Sequence, residues 1–231
     1  MDFRFILAVV IGYLLGSLNS SLIVGKFYGV DIRHHGSGNA GMTNTMRILG
    51  KKAALFVILG DVLKGILAYL AGYLIWGGNP QGDFSGMLAG TAAILGHIWP
   101  LFFGFKGGKG VLTTLAVVLM IDWPIALGLL GVFIVIVAFT KYVSLGSIIA
   151  AFLFPITAIV FGRDIETVLV FGIIGALLII KHHTNIGRLL KGTESKFSLK
   201  KKADLTVDAQ ADKKDDAQAD TQADTLTKEK K

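Results

Sequence analysis

The chemistry-bearing side chains fall in three short polar segments. The first lies within residues 31–52 and reads SGNAGMTNTMR at 37–47. Gly36, Gly38 and Gly41 allow the backbone to turn with positive φ and leave its N–H groups open to close approach. Ser37, Thr43 and Asn44 can cap a helix beginning inside the segment, and Asn39 adds a further amide. Amides beside a helix amino end attract an anion, and Arg47, about one turn later, adds a fork of donors. Read instead as a plain turn with membrane-flanking charge, the same stretch accounts for Arg33, Lys51 and Lys52.

The second segment, FKGGKGVLT at 105–113, sets Lys106 and Lys109 among Gly107, Gly108 and Gly110 directly before an apolar run. It forms a second anion cradle. It is not a P-loop: the GxxxxGK[ST] spacing is missing and no strand precedes it, which excludes nucleotide hydrolysis of that kind. The third, KHHTNIGRLLKGTE at 181–194, spaces His182, Asn185 and Leu189 along one helical face. His182 can accept a proton and Asn185 can orient an oxygen. A histidine serving only as a hydrogen-bond partner would fit the same pattern. His34, His35 and His183 read as solvated neighbours, and Glu194 as an anchor paired with a cation such as Arg188.

Stepping outward from these segments, the elements that must hold them are apolar. The chain has 231 residues, 53% hydrophobic and 17% charged, against the ~25% charged of an ordinary soluble domain. Apolar runs fall near 5–28, 53–76, 85–104, 111–121, 124–140, 145–162 and 165–181. They are continuous rather than alternating, so the expected fold is all-α: a polytopic integral membrane protein with seven transmembrane helices. Asp122-Trp123-Pro124 reads as a tight turn between the fourth and fifth; one long kinked helix there would give six. With the amino terminus outside, Arg33, Arg47, Lys51, Lys52, Lys106, Lys109, Lys141, Lys181, Arg188 and Lys191 all face the cytoplasm, and only Arg4 and Arg163 lie outside. The carboxyl terminus is then cytoplasmic, and the three polar segments share that side. The first apolar run is expected to be a retained span, because it lacks a preceding basic cluster and a small-residue cleavage pattern.

Inside the spans, Asp61 and Lys64 at i and i+3 can pair; an intramembrane pair marks either a functional site or a packing device. His97 poses the same choice, and Ser144 can point toward the polar surface. With no cysteine and no HExxH or carboxylate cluster, no metal set is apparent. From about residue 197 the composition changes to Lys, Asp, Ala, Gln and Thr, with AQAD repeated, so 1–196 is expected to be the membrane domain and 197–231 a disordered charged cytoplasmic tail. Lys200-Lys201-Lys202 at its start could meet anionic lipid headgroups.

Two phosphate-like cradles beside a lipid-filled space suggest a substrate with a phosphorylated head and an acyl tail. An enzyme, a transporter for a phosphorylated solute and a noncatalytic lipid-binding scaffold all remain compatible with that much. A transporter would favour a midplane site and paired repeats, and no convincing repeat is present.

Together the three segments, with GS at 16–17, GK at 25–26, DIR at 31–33, DxxKG at 61–65 and GHxxP at 96–100, resemble the signature loops of the bacterial acyl-phosphate-dependent glycerol-3-phosphate acyltransferases, the PlsY family. The likeness covers roughly residues 5–196, and Met42 stands where the first motif usually has alanine. The resemblance implies transfer of a fatty acyl group from acyl phosphate to the 1-hydroxyl of glycerol 3-phosphate, giving lysophosphatidic acid and phosphate in phospholipid biosynthesis. It implies no cofactor, no metal, and neither acyl-CoA nor acyl carrier protein as donor. It also implies a place in the bacterial cell membrane, with the active site toward the cytoplasm and contact with lipids rather than nucleic acid. A peripheral enzyme forming acyl phosphate would be a transient partner. On this reading His182 and Asn185 are catalytic. Ser37, Gly38, Asn39, Gly41, Thr43, Asn44, Arg47, Lys106, Gly107, Gly108, Lys109, Gly110 and Ser144 bind substrate phosphate. Asp61, Lys64, Arg188 and Glu194 support them.

Overall fold

The structure, a computed structural model, describes residues 2–197; the tail expected to be disordered lies, except for Phe197, outside the described residues. Among the described residues every regular element is helical. Ten α-helices follow in order: α1 (Phe3–Ser17), α2 (Ser20–Phe27), α3 (Met42–Leu49), α4 (Lys51–Ile75), α5 (Pro80–Ile98), α6 (Val111–Ile121), α7 (Trp123–Thr140), α8 (Val143–Val160), α9 (Ile165–Lys181) and α10 (His183–Leu190). Short 3-10 turns cover Ile32–His34 and Leu101–Phe103.

Each of the seven apolar runs is helical, but they differ in reach. Five stretches are long and apolar enough to cross a membrane: Phe3–Phe27, Lys51–Ile75, Asp83–Phe103, Trp123–Thr140 and Val143–Val160. α9 and α10, bent by 57°, make a sixth if taken together. α6 has 11 residues, about 16 Å at 1.5 Å per residue and short of ~30 Å of hydrocarbon.

The first run is not continuous. It breaks at Leu18-Asn19, where the Asn19 side chain caps α2 by accepting from Leu22 N at 3.1 Å. The carbonyl of Leu18, freed by the break, accepts from Lys64 Nζ of α4 at 3.2 Å, as a buried carbonyl in lipid requires. Between α6 and α7 the chain turns as its residues dictate: Asp122 Oδ1 accepts from Ile125 N at 3.2 Å, with Pro124 in the first turn of α7. Asp122 also receives Arg163 Nε at 2.5 Å, tying this turn to the α8–α9 connection at the same end. Pro155 inside α8 leaves the carbonyl of Ala151 without its helical donor. Gly175 of α9 closes on that oxygen so tightly that a Cβ there would lie 2.4 Å from it.

α1, α4 and α5 pack on one another, α7, α8 and α9 form a second consecutive set, and α6 touches both. α3 and α10 lie at the end that carries the three polar segments, where they meet the cavity described next.

Candidate active site

Two adjoining cavities open among these segments. The larger, about 470 Å³, has a polar end formed by Ser37, Asn39, Gly41, Thr43, Asn44, Arg47, Lys109, Gly110, Ser144, His182, Asn185, Arg188 and Glu194. Beyond Lys109 its wall turns apolar, with Leu112, Leu115, Val118, Ala126, Leu129, Leu130, Phe133, Ala150, Phe154 and Leu178. The smaller, about 210 Å³, is lined by Ser37, Gly38, Asn39, Gly107, Gly108, Lys109, Lys181, His183, Thr184 and Arg188. Lys109 and Arg188 stand in both walls.

The first segment is shaped by Asn44. Its Oδ1 accepts from Ser37 N at 2.9 Å, and its Nδ2 donates to the carbonyls of His35 at 2.9 Å and Ile32 at 3.2 Å. Those bonds fold 32–44 into a closed loop with Gly36 and Gly38 at positive φ, the conformation only glycine adopts cheaply. Asn44 is thus occupied by its own loop. Gly41, extended rather than left-handed, is the N-cap of α3, and no side chain caps that helix; Ser37, Thr43 and Asn44 do not do so. The first amides of α3 are left for an anion at the cavity edge. Among the described residues Arg47 makes no side-chain hydrogen bond or ion pair, so its guanidinium is available in the cavity wall.

The second segment is held from two sides. Arg33, paired with Asp31 at 2.7 Å, donates through its guanidinium to the carbonyls of Phe103 at 2.9 Å and Lys106 at 3.3 Å. On the other side Gly107 N and Gly108 N donate to the carbonyls of Ile98 at 3.2 Å and His97 at 3.1 Å. Gly110 caps α6 without a side chain, so a second helix amino end faces the larger cavity. Lys109 Nζ donates to Asn185 Oδ1. The Lys106 side chain, expected beside it, is exposed and lines neither cavity; of this residue it is the carbonyl, held by Arg33, that is built into the loop.

The third segment forms a chain of bonds around Glu194. Its Oε1 accepts from Asn185 Nδ2 at 2.6 Å and Ser144 Oγ at 2.7 Å, and its Oε2 from Arg188 Nε at 2.6 Å. Burial works to raise the Glu194 pKa, but these bonds outweigh it and hold the carboxyl below the usual range. Lys109 is pushed down to about 8, chiefly by burial, with Arg188 and Lys181 adding to the fall and Glu194 opposing it. His182 sits in the bend between α9 and α10, buried, with Nδ1 2.7 Å from the Leu178 carbonyl. A carbonyl only accepts, so Nδ1 carries the proton and the neutral ring keeps a free lone pair on Nε2.

Asp61 and Lys64 pair at 2.8 Å below the cradles; Asp61 and His97 line the larger cavity and Lys64 lies behind its wall. Among the described residues no group of three His, Asp or Glu is disposed to share a metal ion. Sequence reasoning assigned Arg33 to general charge and gave Lys181 and Thr184, though inside the third segment, no site role. The acid two residues before Arg33 and the position of Lys181 beside the HHTN run were the available signals.

A family model described as glycerol-3-phosphate acyltransferase matches residues 6–192. A glycerol-3-phosphate acyltransferase of Trichlorobacter lovleyi is 44% identical over 185 residues, 80% of this chain and 93% of the relative. Those of Clostridioides difficile and Shouchella clausii are 44% and 45% identical over 205 and 202 residues, covering 87% and 84% of this chain and 98% and 97% of theirs. A crystal structure of PlsY, an integral membrane glycerol 3-phosphate acyltransferase, in its glycerol 3-phosphate form superposes with a TM-score of 0.78 at 40% identity, covering 84% of this chain and 96% of that one. Its lysophosphatidic acid form gives 0.76 at 39%, with the same coverage. On this breadth of agreement in both sequence and fold, the chain belongs to the glycerol-3-phosphate acyltransferase family.

Proposed function

We propose that this protein transfers a fatty acyl group from acyl phosphate to the 1-hydroxyl of glycerol 3-phosphate, releasing lysophosphatidic acid and inorganic phosphate. The observation that carries the reading is the pair of cavities: one with a cationic end and an apolar extension, the other polar throughout, sharing Lys109. An acyl phosphate fits the first, head against Arg47 and the amino ends of α3 and α6, chain along Leu112, Leu129 and Phe133. Glycerol 3-phosphate, which has no tail, fits the second, between Lys181, Thr184 and Arg188.

Acyl phosphate is a mixed anhydride and needs no covalent enzyme intermediate. The glycerol oxygen attacks the acyl carbonyl carbon, the carbon–oxygen bond to phosphorus breaks, and phosphate leaves with that electron pair. Lys109, between the two sites, stabilises the charge gathering on the leaving phosphate. The proton of the attacking hydroxyl passes to His182 Nε2 or to a phosphate oxygen, and Asn185 orients the groups around it. Glu194, Ser144 and Arg188 fix Asn185.

The same reading puts seven membrane helices in a bacterial cell membrane, the short α6 reaching only part of the way across with the Gly110 loop completing its course, amino end outside and the cavities toward the cytoplasm. All three polar segments line shared cavities, which supports a common side, and the excess of Lys and Arg there supports the cytoplasmic one. The donor would be supplied by a peripheral enzyme that makes acyl phosphate.

The test is purified protein in lipid with palmitoyl phosphate and glycerol 3-phosphate, following phosphate and lysophosphatidic acid, with palmitoyl-CoA as a parallel donor. Equal appearance of both products from acyl phosphate alone is expected. Product only from palmitoyl-CoA would overturn the donor, and no product from either, with folded protein, would overturn the activity.

A further inference from the structure

Beneath the glycine loop lies a buried cluster to which no step of the proposed reaction is assigned, although Asp61 and His97 stand in the wall of the larger cavity. Lys64 is 5% exposed, Asp61 1% and His97 3%, and all three sit where apolar side chains would be cheaper. The Lys64 ammonium, a donor only, has three neighbours: the Leu18 carbonyl at 3.2 Å, Asp61 Oδ1 at 2.8 Å and His97 Nδ1 at 2.8 Å. With Nδ1 forced to accept, the neutral His97 ring must carry its proton on Nε2.

That Nε2 faces backbone from both phosphate cradles. A Cβ added to Gly108 would lie 2.3 Å from His97 Nε2 and equally 2.3 Å from the Ala40 carbonyl of the first loop. The His97 main chain reinforces the contact, because its carbonyl accepts from Gly108 N at 3.1 Å. The ring therefore stands where the two loops and the scaffold helix α5 meet.

We propose that His97, oriented by Lys64 and Asp61, is a positioning residue that sets the register of Gly108 against the first loop and thereby aims Lys109 between the two cavities. The proposal rests on the assignment of Lys109 to a substrate phosphate. A buried pair kept only for packing would hold helices together; this one ends on the loop that carries the cation. Lys64 fixes the tautomer, the tautomer gives the ring an N–H toward the junction, and the junction fixes the residue next to it.

The test compares His97→Ala and His97→Gln in the full chain, purified in lipid. Gln places an amide N–H near the position of Nε2, and Ala does not. For His97→Ala we expect at least a tenfold loss in kcat/KM for glycerol 3-phosphate and faster hydrogen exchange at the Gly107 and Gly108 amides. His97→Gln should recover most of both. In a Lys109→Ala background, His97→Ala should cost less than threefold more, since the group being aimed is gone. Strict additivity, unchanged exchange at 107–108, or equal defects in both variants would overturn the proposal. So would failure of both variants to fold, which would assign the cluster to packing alone. If wild-type protein transferred no acyl group while the exchange difference persisted, the functional reading would fall and the positioning of the loop would stand.

Discussion

The helices α1, α4 and α5 and the helices α7, α8 and α9 are similar in composition, yet close glycine contacts run through the first set and are confined in the second to Gly146 and Gly175. At Gly12 and Gly16 of α1 an added Cβ would lie 2.1 Å from the carbonyl oxygens of Ala89 and Ala93 on α5. Gly96 closes on α1 and Gly72 of α4 on α5 in the same way, at 2.3 and 2.5 Å. At Gly128 and Gly131 of α7, and Gly172 of α9, such a Cβ would meet nothing within 4 Å. Accordingly 17% of the apolar stretch of α7 is buried, against 61% of the span that includes α5. The first set is joined backbone to backbone, the arrangement small residues permit in lipid. It carries the buried cluster and anchors both cradles. The second set supplies Leu129, Leu130, Phe133, Ala150 and Phe154 to the apolar half of the larger cavity. One set keeps cations in place; the other wraps a chain whose length it must admit.

The sharpest break of that contrast is Gly16→Leu set against Gly131→Leu. The first drives a side chain into the Ala93 backbone and should leave no monodisperse folded protein; the second should purify normally. Comparable yields and thermal midpoints would show that the two sets are not different. Next in size is Arg47→Ala, which removes a charged donor worth about 1.5–3 kcal/mol and should lower kcat/KM by roughly 10–150-fold with folding intact. Steady-state kinetics with palmitoyl phosphate measures it.

On the other wall, Leu130→Phe should shorten the apolar channel by one or two methylenes. At ~0.8 kcal/mol each, the preference for palmitoyl over decanoyl phosphate should fall by about 4–15-fold, with phosphate binding unchanged. The pH dependence is smaller. Lys109, depressed to about 8, is a cation below that value and loses its charge as pH rises through it. The KM for the phosphate it serves should rise above about pH 8, and Lys109→Arg should flatten that rise. The smallest effect belongs to Gly128→Ala, which should be neutral or stabilise α7 by about 0.5–1 kcal/mol, read as a rise in thermal midpoint.

Much of this was legible in the sequence, for identifiable reasons. Apolar runs are long-range signals, and all seven are helical. Asp122-Trp123-Pro124 is a strong local stop, and α6 and α7 separate there. The break at Leu18-Asn19 was not read, although Ser17, Asn19, Ser20 and Ser21 mark it and Asn19 caps α2, because the apolar residues on either side run on as one span and the Lys64 that holds the freed carbonyl is distant in sequence. Glycine and cation spacing marked the three segments but not their internal division of labour. Asn44 turns inward to tie its loop, Lys106 faces out, and Arg33 clamps a loop 70 residues away. Those assignments depend on which way a side chain leaves an irregular backbone, and irregular backbone has no period to read. The Asp61–Lys64 spacing was visible; the third member, His97, joins it only through folding.

The short α6 has a consequence for where the chemistry occurs. From the turn at Asp122, α7 climbs 18 residues to Lys141, whereas α6 climbs 11 to Gly110. At 1.5 Å per residue, α6 ends about 10 Å short of the reach of α7, and in the proposed topology the cradle at Gly110 lies that much nearer the bilayer centre than the rim formed by the longer helix. On the proposed reaction, a donor lying in the leaflet would present its head to the cations without lifting its tail into water, a transfer that would cost ~0.8 kcal/mol for every methylene exposed. The expected kinetics are those of surface dilution. It should follow the mole fraction of donor within the bilayer and stay flat when donor and lipid are diluted together in the bulk.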